Sequence, residues 1–374
     1  MAEQATAPNP TSTPLALLLA TESGDVTLGI CRGALTPTRL ADGLDAAGKE
    51  LSQTLFGAAV HDLGWMRRVA VRGEDRVRWL NGMVTNSVND LAENAGNWNL
   101  VLNAQGRIQG DLHLWREGSD ALEMEIAANQ HQRLLAHLDR FIIMDDVELV
   151  PLSDQTALGL SGSRAGEVLA RLGLPKLAEP LTSVEADWQG TKLRLRRGYG
   201  VLTVHYELWV EAAAVGALWT ALNDAGAAPV GAEAVETLRI LEAIPEYEID
   251  IMERDLPQET AQMRALNFSK GCYLGQEIVE RIRSRGNVHR HLRQLELDGP
   301  PAEAGTEVHF ENAAGVDAVG GVVTSAVELP LGTHRRIALG MIRAEAELRG
   351  TLTYTCGEAR GTVRILATPP SLET

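Results

Sequence analysis

The stretch Asn267-Phe268-Ser269-Lys270-Gly271-Cys272-Tyr273-Leu274-Gly275-Gln276-Glu277-Ile278-Val279-Glu280-Arg281 is the most informative in the chain. Two glycines bracket Cys272-Tyr273-Leu274, so the backbone is free to turn tightly and to approach a ligand closely. Gln276 to Ser284 then reads as a helix with Ile278, Val279 and Ile282 on one side. A cysteine just ahead of a helix start, two residues after a lysine, stands where a thiolate is favoured. On physical grounds alone its commoner role is that of a small residue buried in a tight loop. From Asn267 to Arg293 the cations Lys270, Arg281, Arg283, Arg285, Arg290 and Arg293 outnumber Glu277 and Glu280, with His289 and His291 beside them. This stripe suits an anionic ligand such as a polyglutamate tail, a phosphate or RNA, and equally a solvated helix face paired with the protein's own carboxylates.

The texture differs on the two sides of this stretch. Beyond Arg293, short β-type runs (Arg293–Leu297, Glu307–Phe310, Ala318–Val327, Arg336–Ile342, Thr351–Cys356, Gly361–Ala367) alternate with Gly/Pro turns, the pattern of a small all-β barrel or sandwich. Upstream, strands and helices mix. Arg68–Arg72 reads as a strand, followed by a helix to Leu80 with acidic residues at its start. Trp98–Leu102 and Arg107–Trp115 alternate around Asn103-Ala104-Gln105-Gly106, a hairpin signal. Leu122–Ala127 and Val147–Leu152 are strands flanking a helix over Gln130–Arg140. A second set follows: strands Lys192–Arg196 and Leu202–Val210, then helices Glu211–Ala225 and Ala232–Glu242, the latter stopped near Pro245. Hairpins crossed by helices predict an α+β fold, not a doubly wound parallel sheet.

The chain has 374 residues, 45% hydrophobic and only 4% aromatic, with 36 glycines. At about 100–200 residues per domain it should hold two or three. A net charge of −16 argues against extensive nucleic-acid binding. Cys31, Cys272 and Cys356, odd in number and unrelated in spacing, make neither a disulfide framework nor a zinc knuckle, so no metal site is expected. No segment approaches the 18 or so apolar residues of a membrane helix. Leu15–Ala20 lacks the basic flank of a signal peptide, so a soluble, cytoplasmic protein with no membrane partner is expected. Residues 1–15, with Pro8, Pro10 and Pro14, are expected to be a disordered tail.

Lys270–Glu277, running on to Arg285-Gly286-Asn287-Val288-His289-Arg290, closely resembles the signature of the YgfZ-type folate-binding proteins. These are relatives of the glycine-cleavage aminomethyltransferase (T-protein, GcvT) implicated in iron–sulfur cluster maintenance and tRNA modification. Three other segments agree in order. Val71–Leu80 with Val84-Thr85-Asn86 resembles the family's early G-x-D…T-N stretch, Asn99–Ile108 its hairpin, and Thr237–Pro245 the end of its L-R-x-E-A-G-x-P helix. The resemblance runs from about residue 60 to the C-terminus and leaves residues 1–50 unexplained.

The resemblance implies a multi-domain ring-like aminomethyltransferase folate-binding fold, with a central opening for tetrahydrofolate or a one-carbon derivative and a C-terminal β-barrel. Residues 16–150 with 230–290 would form the α+β folate-binding unit, 151–229 a second α+β unit and 291–374 the barrel. Cys272 and Asp111 are then the catalytic candidates. Lys270, Tyr273, Gln276, Glu277, Arg239, Tyr206 and Asn103 are the candidates for holding the cofactor. Arg239 is suited to a folate carboxylate, and otherwise to a local ion pair with Glu236 or Glu242. Partners would be iron–sulfur client proteins or assembly factors, and tRNA-modifying enzymes. T-proteins carry paired aspartates where Gln109-Gly110-Asp111 stands here, and a pterin-holding Glu where Thr203 stands. Both departures weigh against aminomethyl transfer, and whether any reaction is catalysed stays open.

Overall fold

The computed structural model describes residues 10–372 except 24–25, 44, 287 and 332–333. Its frame is a sheet of eleven strands among the described residues. In spatial order these are Ala228–Pro229, Ala59–Asp62, Gln155–Ser161, His205–Glu211, Thr191–Arg197, Thr182–Trp188, Ala95–Leu102, Ile108–Glu117, Ala121–Ala127, Met66–Arg72 and Glu148–Pro151. All pairings in this sheet are antiparallel except Ala228–Pro229 with Ala59–Asp62. The α+β class is therefore correct, and short turns carry most connections. Two half-sheets meet at one register pair, Thr182↔Ala95. Each half buries its own core, one around Leu160, Leu195, Tyr206 and Trp219, the other around Val69, Leu114, Met124 and Leu134.

The C-terminal strands close into a barrel in the order Arg290–Asp298, Arg336–Arg343, Asp317–Glu328, Glu307–Glu311, Leu352–Cys356, Ala359–Leu366, antiparallel throughout and sealed by pairing of the first with the last. Closure removes every edge. A short helix, Ala344–Arg349, interrupts these strands where no helix pattern was read. The barrel buttresses the helix Ala232–Leu241: Gln294 donates to the carbonyls of Ile240 and Leu241, and Arg239 donates to Ser325.

The N-terminal segment is more ordered than expected. Residues 1–9 of the expected tail lie outside the described residues, but Thr11–Ser12 pairs in parallel with Ala34–Pro37, and Leu15 is fully buried in the helix Pro14–Ser23. The anchor is Asp62, which accepts from the hydroxyls of Thr13 and Thr36 and from the Gly64 amide. A carboxylate buried this deeply requires such donors.

Candidate functional site

The two half-sheets, the Ala232–Leu241 helix and the loops after it enclose a cavity of about 190 Å³. A single ordered water needs only about 10–15 Å³, so the space is far larger than one buried water requires. Its walls carry three indoles (Trp65, Trp98, Trp115), two phenols (Tyr199, Tyr247) and charged groups from several elements.

Asp111 faces this cavity. In the strand Ile108–Glu117, alternation puts Asp111, His113 and Trp115 on the cavity face. Trp98 Nε1 and Gln130 Nε2 each donate to the Asp111 carboxylate at 2.8 Å, which fixes both oxygens. Position 110 points the other way. A Cβ on Gly110 would lie 2.6 Å from Gln130 Oε1 and 3.1 Å from Leu134 Cδ1, against the helix Ala128–Asp139. A second carboxylate there would not reach the cavity, so its absence does not weigh against chemistry inside it. Thr203 is likewise remote: its hydroxyl donates to the Leu55 carbonyl.

The expected cofactor residues are dispersed. Tyr206 is a core residue with no exposure, its hydroxyl directed to the Leu177 carbonyl. Its neighbours His205 and Glu207 take the cavity face instead, because side chains alternate along His205–Glu211. Arg239 lines the cavity, but its guanidinium is already committed to Glu236, Asp250, Ser325 and the Ile244 carbonyl. The local ion pair with Glu236 is formed. Glu242 serves a different purpose, accepting from the amides of Val201, Leu202 and Thr203.

The signature loop lies apart from the cavity walls. Lys270 Nζ donates to the carbonyls of Asn81, Val84 and Asn86 at 2.6–2.7 Å, closing the end of the helix Arg76–Asn81. Burial pushes this ammonium down to about 7. All three of its N–H donors are spent on backbone carbonyls, so it acts as a backbone cap. Tyr273 is buried among Trp98, Leu102, Ile108 and Tyr247, its hydroxyl unpartnered and pushed up to about 12 by burial. Gln276 accepts from the Tyr273 amide, and Glu277 is exposed in the first turn of Gln276–Arg285, complementing the helix dipole. Asn103 caps its own turn by accepting from the amides of Gln105 and Arg107. Cys272 is exposed, which overturns the expectation of a small buried residue. The basic stripe is partly neutralised, with Arg290 on Asp255 and Glu259, Arg293 on Glu347, and Arg283 on Glu280.

Several cavity residues were not anticipated. Arg32, at the tip of a hairpin with φ of +46° followed by Gly33 at +83°, lies 4.1 Å above Trp65 and pairs with Glu246 at 3.0 Å. His205 bonds Ser161 Oγ at 2.7 Å, and Ser161 bonds His61 at 3.1 Å. Burial pushes the two imidazoles down to about 4 and about 3, so both are neutral at pH 7. Beneath them Arg196, with no exposure, bridges Glu117, Glu123 and Glu125. Alternation outward from Asp111 and Glu207 was the available signal for His113 and His205. Nothing local marks Arg32 or Arg264. Among the described residues no group of three or more His, Cys, Asp or Glu is placed to hold a metal ion, and no helix is long and apolar enough to cross a membrane.

Residues 38–270 match the family model described as the GCVT N-terminal domain. An aminomethyltransferase of Rubrobacter xylanophilus is 31% identical over 300 residues, covering 78% of this chain and 77% of that one. A chloroplastic Arabidopsis thaliana protein provisionally named a transferase is 23% identical over 284 residues, 75% of this chain and 66% of that one. The fold matches the crystal structure of glycine cleavage system aminomethyltransferase T from Bartonella henselae with a TM-score of 0.82 at 20% identity, over 96% of this chain and 97% of that one.

Proposed function

This chain belongs to the GCVT N-terminal domain family, and from that membership we propose that it binds tetrahydrofolate or a one-carbon derivative in the central cavity. The observation that carries the reading is Asp111, a carboxylate fixed by Trp98 and Gln130 on the wall of an aromatic-lined cavity. The lining suits a flat, polar heterocycle. Indole and phenol rings offer stacking faces. Asn129 Oδ1, also on the wall, is a buried acceptor without a partner, which a ring N–H of the ligand would satisfy.

Tetrahydrofolate supplies a carrier for one-carbon units. Asp111 and Asn129 are the polar groups that would hold it, between the aromatic walls. Asp111 accepts a proton or orients a donor at its Oδ atoms, and His205 presents a neutral imidazole. Calorimetric titration tests this reading. Tetrahydrofolate should bind and raise the melting temperature, by about 2.7 kcal/mol of stabilisation at a hundred times Kd. Folded protein that gives neither heat nor a shift would end the folate reading. Sustained turnover of an aminomethyl-lipoyl carrier in the same preparation would promote the second reading, aminomethyl transfer, which the cavity-facing Asp111 favours.

Within this reading we assign the chain to the YgfZ-type branch, serving iron–sulfur enzymes and tRNA-modifying enzymes. The support is the Lys270–Glu277 signature and the exposure of Cys272 beside it. In cells lacking the protein, cluster-dependent enzyme activity should be restored by the wild type and not by Cys272→Ser. Serine is a far poorer nucleophile and soft-metal ligand. An exposed site makes a folding defect an unsuitable explanation, and full rescue by the serine variant would exclude a chemical role for the thiol.

A further inference from the structure

Arg264 stands out among the charged groups of the cavity. Arg32 is held by Glu246, Arg239 by Glu236 and Asp250, Glu125 by Arg196, and Glu242 by three backbone amides. The Arg264 guanidinium lies between two aromatic faces instead, 3.8 Å from the Tyr199 ring centroid and 4.8 Å from that of Trp98. Among the described residues no carboxylate stands within ion-pair distance of it. Burial works against its charge, and Glu242, a carboxylate that offsets this, is committed to the loop that carries Tyr199. Stacking holds a guanidinium flat, and apart from the Tyr199 hydroxyl no side chain among the described residues takes up its edge of N–H donors.

The position matters as much as the charge. Tyr199 is 37% exposed and Met263 53%, so Arg264 stands at the mouth. Trp98, 4% exposed, is shared: its face lies toward Arg264 while its Nε1 donates to Asp111. A ligand reaching from the mouth to Asp111 therefore crosses this indole. The neighbouring wall carries Asp111, Glu242 and Glu246, which disfavours a doubly charged phosphate and tolerates a single carboxylate opposite a cation.

We propose that Arg264 is a specificity-determining residue that receives a tail carboxylate of the ligand, so that the pterin end lies inward toward Asp111 and the glutamyl end at the mouth. The inference rests on the folate reading, and its test separates the two. Tetrahydrofolate and 6-methyltetrahydropterin, which has the reduced pterin but no p-aminobenzoylglutamate tail, are titrated into the full chain. Arg264→Gln should weaken tetrahydrofolate binding by roughly ten- to a hundredfold, the worth of hydrogen bonds to a charged group, and leave 6-methyltetrahydropterin unchanged. Arg264→Lys should fall between, keeping the charge but losing the fork. For the wild type, added salt should weaken tetrahydrofolate and not the tail-less pterin, a readout that needs no variant to fold. Equal weakening of both ligands by Arg264→Gln, or none, would overturn the assignment. A wild type that binds neither pterin would remove the folate reading itself.

Discussion

Glu207 shows how strongly one side chain can depend on its surroundings. It lies on the cavity floor, its Oε2 accepting from Trp209 Nε1 at 3.2 Å. Burial first, and then the negative charge of Glu125, raise its pKa well above the usual carboxylate range. The folded state thus favours the protonated form, while the unfolded chain releases the proton near 4.5. Stability from this group is complete below that pH and is lost as pH rises toward the folded value, at most about 1.4 kcal/mol per unit. Glu207→Gln keeps the shape and the acceptor for Trp209 but cannot ionise. Denaturation midpoints measured from pH 5 to 9 should fall less steeply in the variant than in the wild type. Parallel curves would show that Glu207 ionises freely. Sequence reading came within one residue of this group and chose Tyr206, because the strand's period was known but not which of its faces met the cavity. Asp111 was singled out by the family resemblance and not by the hairpin pattern; Arg264 was not singled out at all, since its surroundings depend on Tyr199 and Trp98 meeting across the fold.

At the scale of elements, the signature loop and the hairpin turn Asn103–Arg107 act as one packed unit. Gly275 has φ of +82°, and a Cβ there would lie 2.6 Å from the Asn103 carbonyl oxygen. Gly106, at +70°, faces Ile278 just as closely, with its Cβ position 2.7 Å from that side chain. These two glycines are demanded by close backbone approach. Gly271 is different. Its φ is not in the left-handed region, and an added Cβ would meet nothing within 4 Å. Gly275→Ala should therefore cost about 1–3 kcal/mol through overpacking and strain, whereas Gly271→Ala should stay within about 0.5 kcal/mol, as free surface changes do. Chemical denaturation of the two variants decides the point, and equal losses would contradict it. One motif thus mixes packing with exposure, and Gly271-Cys272 is the part the fold does not require. Its residue types are plain in the sequence; the partition appears only once the hairpin lies beneath it.

For the molecule as a whole, the barrel was the most legible unit, since its β-type runs alternate with turns and only the short helix Ala344–Arg349 breaks them. The strands Ala59–Asp62, Gln155–Ser161 and Thr182–Trp188 were not read. Two are nearly all buried, so neither shows the alternation that marks a half-exposed strand, and the third pairs mainly with its sequence neighbour Thr191–Arg197. The meeting of the half-sheets was equally hidden. It joins at one register pair, and Arg196, Arg194 and Ser183 reach carboxylates of the other half, charges that in sequence look like an exposed strand. Removing Arg196 would leave Glu125 without an ion partner among the described residues, whereas Glu117 keeps Arg194 and Glu123 keeps Arg68, so the cost falls mainly on one buried carboxylate. The barrel adds an order of events. All the residues that line the cavity, Arg32 to Arg264, precede the barrel strands. Yet Gln294 and Ser325 hold the wall helix from behind, and the barrel seals only when Ala359–Leu366 meets Arg290–Asp298. On the ribosome the pocket's residues therefore emerge before the strands that brace its back wall, so the lining is synthesised ahead of its support.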